Sequence, residues 1–120
     1  MQEEVTIVAR IEEYRFGRVL VDGQEHTKDV IVLPDRVIGN WWRKDGHSLV
    51  LEDLDDVVDD LPDTLVVGAG ADQRMRPDPA ALEELRARGV DVQVLPTDQA
   101  VARYSELDPQ RAAAALHLTC

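Results

Sequence analysis

Two rhythms of apolar residues divide this chain, short extended runs in its first half and helical spacing alternating with strands in its second. Residues 5–11 alternate weakly between apolar and polar. Residues 18–21 form a strand pattern that runs into Asp22 and Gly23, a strong signal for a tight hairpin turn. The pattern resumes over residues 27–33 and stops at Pro34, and residues 36–42 predict a further strand closed by Asp45 and Gly46. Gly17 and Gly39 fall beside these runs, where glycine marks a bulge or a close backbone contact. Leu54, Val57, Val58 and Leu61 then recur at helical spacing and predict one amphipathic helix ending at Pro62. Its remaining positions are acidic, with Glu52, Asp53, Asp55, Asp56, Asp59 and Asp60 making a solvated face.

From residue 64 the order is strand, helix, strand, helix. Residues 64–68 are an apolar strand that breaks on Gly68 and Gly70. Asp78 is suited to cap a helix with Pro79 in its first turn, where a missing N–H costs nothing. Ala81, Leu82 and Leu85 form its buried face, Glu84 can pair with Arg88, and Gly89 suits the position after the last turn. Residues 90–95 give the next strand, and Thr97 can cap a helix that turns Val101, Tyr104 and Leu107 inward before Pro109. The tail from Arg111 reads two ways. Its alanines favour a helix, whereas the preceding rhythm favours a third parallel strand buried on both faces. The pattern implies an α/β protein, one domain over residues 1–120, with an N-terminal β portion and an acidic helix before the alternating half.

Charge narrows the function more than composition does. A formal net charge of -11 over 120 residues disfavours nucleic acid and anionic membrane as partners and favours basic ones. The single cysteine, Cys120, permits no internal disulfide, which fits a reducing compartment. The first residues carry no signal-peptide pattern, and apolar runs such as 30–33 are too short to span a bilayer. A cytoplasmic location is the resulting expectation, with no cofactor and no metal site.

Gly68 and Gly70 resemble the start of a dinucleotide fingerprint, but Gln73 stands at its third glycine position and the helix opens only near Pro79. A turn at a crowded strand end explains both glycines as well. The loop that follows lies at the carboxyl end of a parallel strand, where α/β proteins place ligands. Arg74 and Arg76 could hold an anion there, beside Gly68 and Gly70, with Thr97 as a hydroxyl donor. Adjacent tryptophans on a strand face opposite ways, so Trp41 and Trp42 predict one core residue and one exposed one. An exposed Trp42 flanked by Arg43 would suit a protein interface. His117 and Cys120 are weak candidates for thiol or metal chemistry, since neither has a partner at metal-ligand spacing.

An ordered set of motifs adds a resemblance. Arg43 with Gly46, His47 and Ser48, the acidic stripe, residues 65–70, Thr97 to Ala100, Tyr104 to Leu107, and the ending His117, Leu118, Thr119 and Cys120 occur in sequence. Together they resemble the adipogenesis-associated Mth domain-containing proteins, a small family of unknown molecular function, over nearly the whole chain. The wider superfamily includes a mitochondrial assembly factor for respiratory complex I. The resemblance implies an Mth-type fold, in which a β-α-β-α-β half packs with an N-terminal β portion, and it implies a strand for the tail from Arg111. It carries over no catalytic residues, and Ala69 and Ser105 depart from the usual threonine and asparagine. The function expected is a non-enzymatic cytoplasmic interaction or assembly module with a protein partner. The alternative is a small-molecule binder or enzyme that uses the cleft at the carboxyl ends of the parallel strands to hold an anionic ligand.

Overall fold

The structure, a computed structural model, describes residues 10–120. It opens with a three-stranded antiparallel sheet of β1 (Ile11–Arg15), β2 (Arg18–Val21) and β3 (Gln24–His26). The hairpin between β2 and β3 turns at Asp22 and Gly23, with φ of 49° and 80°. Two successive positive φ angles are what a two-residue hairpin of this twist requires. The strand expected over residues 5–11 falls outside the described residues as far as residue 9. Gly17 turns the first hairpin with φ of 80°, and Gly39 lies so close to the His26 ring that a Cβ would stand 3.1 Å from Nδ1.

The strand expected over residues 27–33 is only partly realised, because the chain changes sheets there. After β3 it leaves the small sheet, and β4 (Val30–Val32) enters a central five-stranded one. The strand expected over residues 36–42 shortens to β5 (Val37–Ile38). Asn40, at φ of 52°, breaks the extended run and lets Trp41 turn into the core. A loop then leads to β6 (Ser48–Leu49) and to the acidic segment.

That segment forms two short 3-10 turns, Leu51–Leu54 and Val58–Asp60, in place of the single helix its spacing predicts. Six acids within nine residues repel along a shared helix, and aspartates compete for nearby backbone donors. Asp53 does so here, accepting from the N–H groups of Val50 at 2.9 Å and Lys44 at 3.1 Å. The apolar stripe still serves its purpose, with Leu54 and Val57 buried and Val58 and Leu61 packed against the core.

The second half follows the predicted rhythm as β7 (Thr64–Gly68), α1 (Pro79–Ala87), β9 (Asp91–Leu95), α2 (Thr97–Ser105) and β10 (Ala112–Leu116), with one unpredicted short strand, β8 (Arg76–Pro77), where the loop before α1 pairs with β6. Asp78 caps α1 by accepting from the N–H of Ala80, and Gly89 follows with φ of 89°. The tail is a strand. It lies in the middle of the sheet order β5-β4-β10-β7-β9, parallel to β7 and antiparallel to β4. All five of its residues are buried.

Alternation along β10 divides two cores. Ala113 and Ala115 face a cluster with Leu85 of α1, Trp41, Leu54 and Val57. Ala112, Ala114 and Leu116 face Ala100 and Tyr104 of α2, together with Ile11, Val19 and Val21 of the small sheet. The central sheet is therefore covered on both faces, which is why its inner strands β4, β10 and β7 lack an exposed polar side. Among the described residues no helix is long and apolar enough to cross a membrane.

Candidate functional site

Beyond β10 the chain continues as a clamped ribbon, and nearly every candidate residue touches it. The N–H of His117 donates to the carbonyl of Gly68 at 2.9 Å. The Leu118 N–H donates to Asp29 Oδ1 at 2.9 Å, and its carbonyl accepts from the Gly17 N–H and the Tyr14 hydroxyl. The carbonyls of Thr119 and Cys120 accept from the N–H groups of Ala71 and Arg74 at 2.7 and 2.8 Å. Residues from both sheets and from the loop after β7 thus fix one four-residue segment, which answers the demand of its buried backbone groups for partners.

This ribbon explains the glycines. At Gly70, φ is 99° and a Cβ would lie 2.3 Å from the carbonyl carbon of Cys120 and 2.9 Å from His117 Cδ2. At Gly68 a Cβ would meet Leu116 Cδ2 and Thr97 Oγ1, both at 3.0 Å. Thr97 does not cap α2; the N-cap is Pro96, without a side-chain bond. Its buried hydroxyl accepts from the Gly70 N–H at 2.8 Å and donates to the His117 carbonyl at 2.6 Å. Gly68, Gly70 and Thr97 therefore meet around the chain's own residues 117–120. Arg74 and Arg76 stand nearby with exposed side chains, in no ion pair among the described residues.

Asp29 is a site residue that the sequence pattern misses, because nothing local distinguishes it from the other acids. Its Oδ2 accepts from Arg43 NH1 at 2.7 Å and from His117 Nδ1 at 2.8 Å. A carboxylate can only accept, so His117 Nδ1 carries a proton, and in the neutral imidazole the lone pair then lies on Nε2. The approach of Arg43 NH2 to the same Nδ1, at 3.1 Å, is then a contact between two donors, and NH2 bonds instead to the Gly46 carbonyl at 3.0 Å. Burial pushes the Asp29 carboxyl up, but the hydrogen bonds from His117, Leu118 and Arg43 together outweigh it and hold the group below its ordinary range.

Arg43, expected at an exposed interface, is buried instead, its side chain only 3% exposed. It packs on the Trp41 ring at 4.8 Å and reaches Asp29, contacts that offset part of the cost of taking a guanidinium out of water. Its Nε has no hydrogen-bond partner. Trp41 is buried and donates from Nε1 to the Asp53 carbonyl at 2.9 Å, while Trp42 is 77% exposed. The two rings do face opposite ways.

Trp42 forms a ridge between two open clefts. One, of about 640 Å³, is lined by Trp42, Ile38 and the acids Glu52, Asp53, Asp55 and Asp56. The other, of about 600 Å³, holds Lys28, Asp29, Arg43 and His117, with Thr27 and Thr119. Lys44 lines both. Cys120 is half-buried at the end of the ribbon, and among the described residues no group of three or more His, Cys, Asp or Glu could hold a metal ion.

Comparisons with known proteins agree with this architecture. The family described as "Protein of unknown function (DUF498/DUF598)" matches residues 11–117. A conserved hypothetical protein from Pyrococcus horikoshii is 29% identical, with a TM-score of 0.77 over 92% of this chain and 98% of that one. A protein named MT938 is 28% identical, with a TM-score of 0.73 over 92% and 97% of the two chains. A Mth938-like domain from Bordetella pertussis, at 18% identity, shares the fold with a TM-score of 0.75 over 98% and 92%.

Proposed function

Because the chain belongs to the DUF498/DUF598 family of proteins of unknown function, we propose from its surface that it is a non-enzymatic interaction module that docks a basic segment of a protein partner. One observation carries this reading. Trp42 is 77% exposed, yet the residues on either side of it are anchored in the interior. A tryptophan held out by buried neighbours loses little freedom on binding, which is the behaviour of an interface anchor. The adjoining cleft supplies Glu52, Asp53, Asp55 and Asp56. An arginine or lysine of a partner can lie over the Trp42 ring while its charge meets those carboxylates, a contact worth about 0.5–2 kcal/mol for the ring alone.

Within the family, Arg43 and the ending His117, Leu118, Thr119 and Cys120 support a place near the adipogenesis-associated Mth domain-containing proteins. The second reading, an anionic small molecule at the ends of the parallel strands, is favoured by Arg74 and Arg76, exposed beside Gly70 and unpaired among the described residues.

Titration with an arginine-rich peptide at low salt, followed by calorimetry, tests the first reading. Saturable binding that is lost in Trp42→Ala and in Asp55→Asn/Asp56→Asn supports it. A response that never saturates, or that survives Trp42→Ala, sinks it. A thermal-shift screen of phosphates and carboxylic acids on the wild type and on Arg74→Ala/Arg76→Ala separates the second reading, which fails if both proteins respond alike.

A further inference from the structure

The ridge at Trp42 parts clefts of opposite charge, and the second cleft has no role in peptide docking. Within a chain of net charge -11, its walls bring together Lys28, Arg43 and Lys44 against a single carboxylate, Asp29. Asp29 is already committed to Arg43, His117 and the Leu118 N–H. Neither Lys28 nor Lys44 takes part in an ion pair among the described residues. The local field is thus positive where the molecule as a whole is negative, and a concave site concentrates such a field.

The wall beneath those lysines is built and rigid. His117 and Arg43 have side chains only 9% and 3% exposed. The Nε of Arg43 is buried without an acceptor, so Asp29 and the Gly46 carbonyl do not use all of the guanidinium's donors. Asp29 holds a proton on His117 Nδ1, and Thr119 Oγ1 lies 3.5 Å from Nε2, longer than the usual hydrogen bond. In the neutral imidazole Nε2 therefore carries a directed lone pair whose contact within the fold is this long one to Thr119. Thr27 and Thr119 add hydroxyls to the same walls, and the cleft, at about 600 Å³, has the size of a small-molecule site.

We propose that this cleft binds a small hydroxylated organic anion, a hydroxy acid or a sugar- or glycerol-type phosphate ester. Lys28 and Lys44 take the anionic group, and His117 Nε2 accepts a hydrogen bond from the ligand's hydroxyl. Asp29 and Arg43 are positioning residues that set the tautomer and angle of the imidazole. Neither Arg74 nor Arg76 lines this cleft, and the site does not depend on peptide docking at the acidic cleft.

The test is an amide NMR titration of the whole chain with glycerol 3-phosphate and with malate, at ionic strength held constant with sodium chloride. The expected result is saturable shifts at Lys28, Gly46 and His117 with either probe or both; a response to one alone assigns the phosphate ester or the hydroxy acid. Lys28→Ala/Lys44→Ala, which changes two exposed side chains, should keep its thermal midpoint and weaken binding at least tenfold. His117→Gln, if folded, should lose most of the affinity, while Arg74→Ala/Arg76→Ala should lose none. Shifts that rise linearly with probe, that persist unchanged in the double lysine variant, or that centre on Arg74 and Arg76 overturn the proposal.

Discussion

Asp29 receives three donors, from Arg43, His117 and the backbone of Leu118, with only 16% of its side chain exposed. Removing it strands a buried guanidinium and a buried N–H together. Breaking one partner of a buried pair costs about 3–5 kcal/mol, so Asp29→Ala should lower unfolding stability by that order in a urea titration. A loss below about 1 kcal/mol would show that the cluster is solvated. Because its folded-state pKa lies below the ordinary 3.8, Asp29 contributes stability that is complete above that value. The contribution fades as the pH falls from there through the folded-state pKa. Stability measured between about pH 6 and pH 2.5 should therefore fall more steeply in the wild type than in Asp29→Asn. Gly70 poses the opposite kind of constraint, one of space. Alanine there would combine a φ of 99° with a contact of 2.3 Å to the backbone of Cys120. The dihedral alone costs about 1–3 kcal/mol, and the clash must displace the 117–120 ribbon as well. Gly70→Ala should lose at least about 3 kcal/mol in the same urea assay. Gly23→Ala, with nothing within 4 Å of the added carbon, should lose only the dihedral part.

At the scale of elements, β10 shows how context overrides propensity. Four consecutive alanines favour a helix in isolation, but β7 pairs with the whole strand and β4 with its last three residues, which gives its backbone partners on either side. Small side chains are what let α2 and the small sheet approach one face while α1 approaches the other. Ala114 sits fully buried among Val32, Val66, Ala100 and Tyr104 in one cluster. Ala114→Leu should therefore destabilise by about 1–3 kcal/mol through overpacking, with a lowered thermal midpoint and an unchanged circular dichroism spectrum. An equal or higher midpoint would mean that this core has slack. The acidic segment teaches the reverse lesson. Its apolar stripe did predict the buried residues, but six acids and the backbone bonds of Asp53 settle it into two 3-10 turns.

For the whole molecule, charge decides behaviour that no single contact does. The exposed ion pairs, such as Arg18 with Glu25 and Arg111 with Asp63, are of the kind that contribute little each. A net charge of -11 spread over the chain repels itself in the folded state more than in the expanded one. Raising sodium chloride from about 0.02 to 0.3 M should thus increase the thermal midpoint by a few degrees, since the Debye length falls to well under the molecular radius. The same salt should weaken peptide binding beside Trp42. A midpoint that falls with salt would show that the ion pairs outweigh the repulsion.

Local chemistry in the sequence determined the hairpin turn at Asp22 and Gly23, the cap at Asp78, and the helical and extended faces of the second half. Each depends on neighbours a few residues apart, so a pattern along the chain can carry it. Strand order, the central place of β10 and the partition into two cores arise from pairings between distant segments. Asp29 and His117 meet across 88 residues, and Arg43 and His117 across 74. No periodicity records such a meeting, because it depends on how two sheets and a ribbon come to share one corner. Gly70 spans both accounts: its residue type signalled a tight place, and only the tertiary structure showed that the chain's own ribbon fills it.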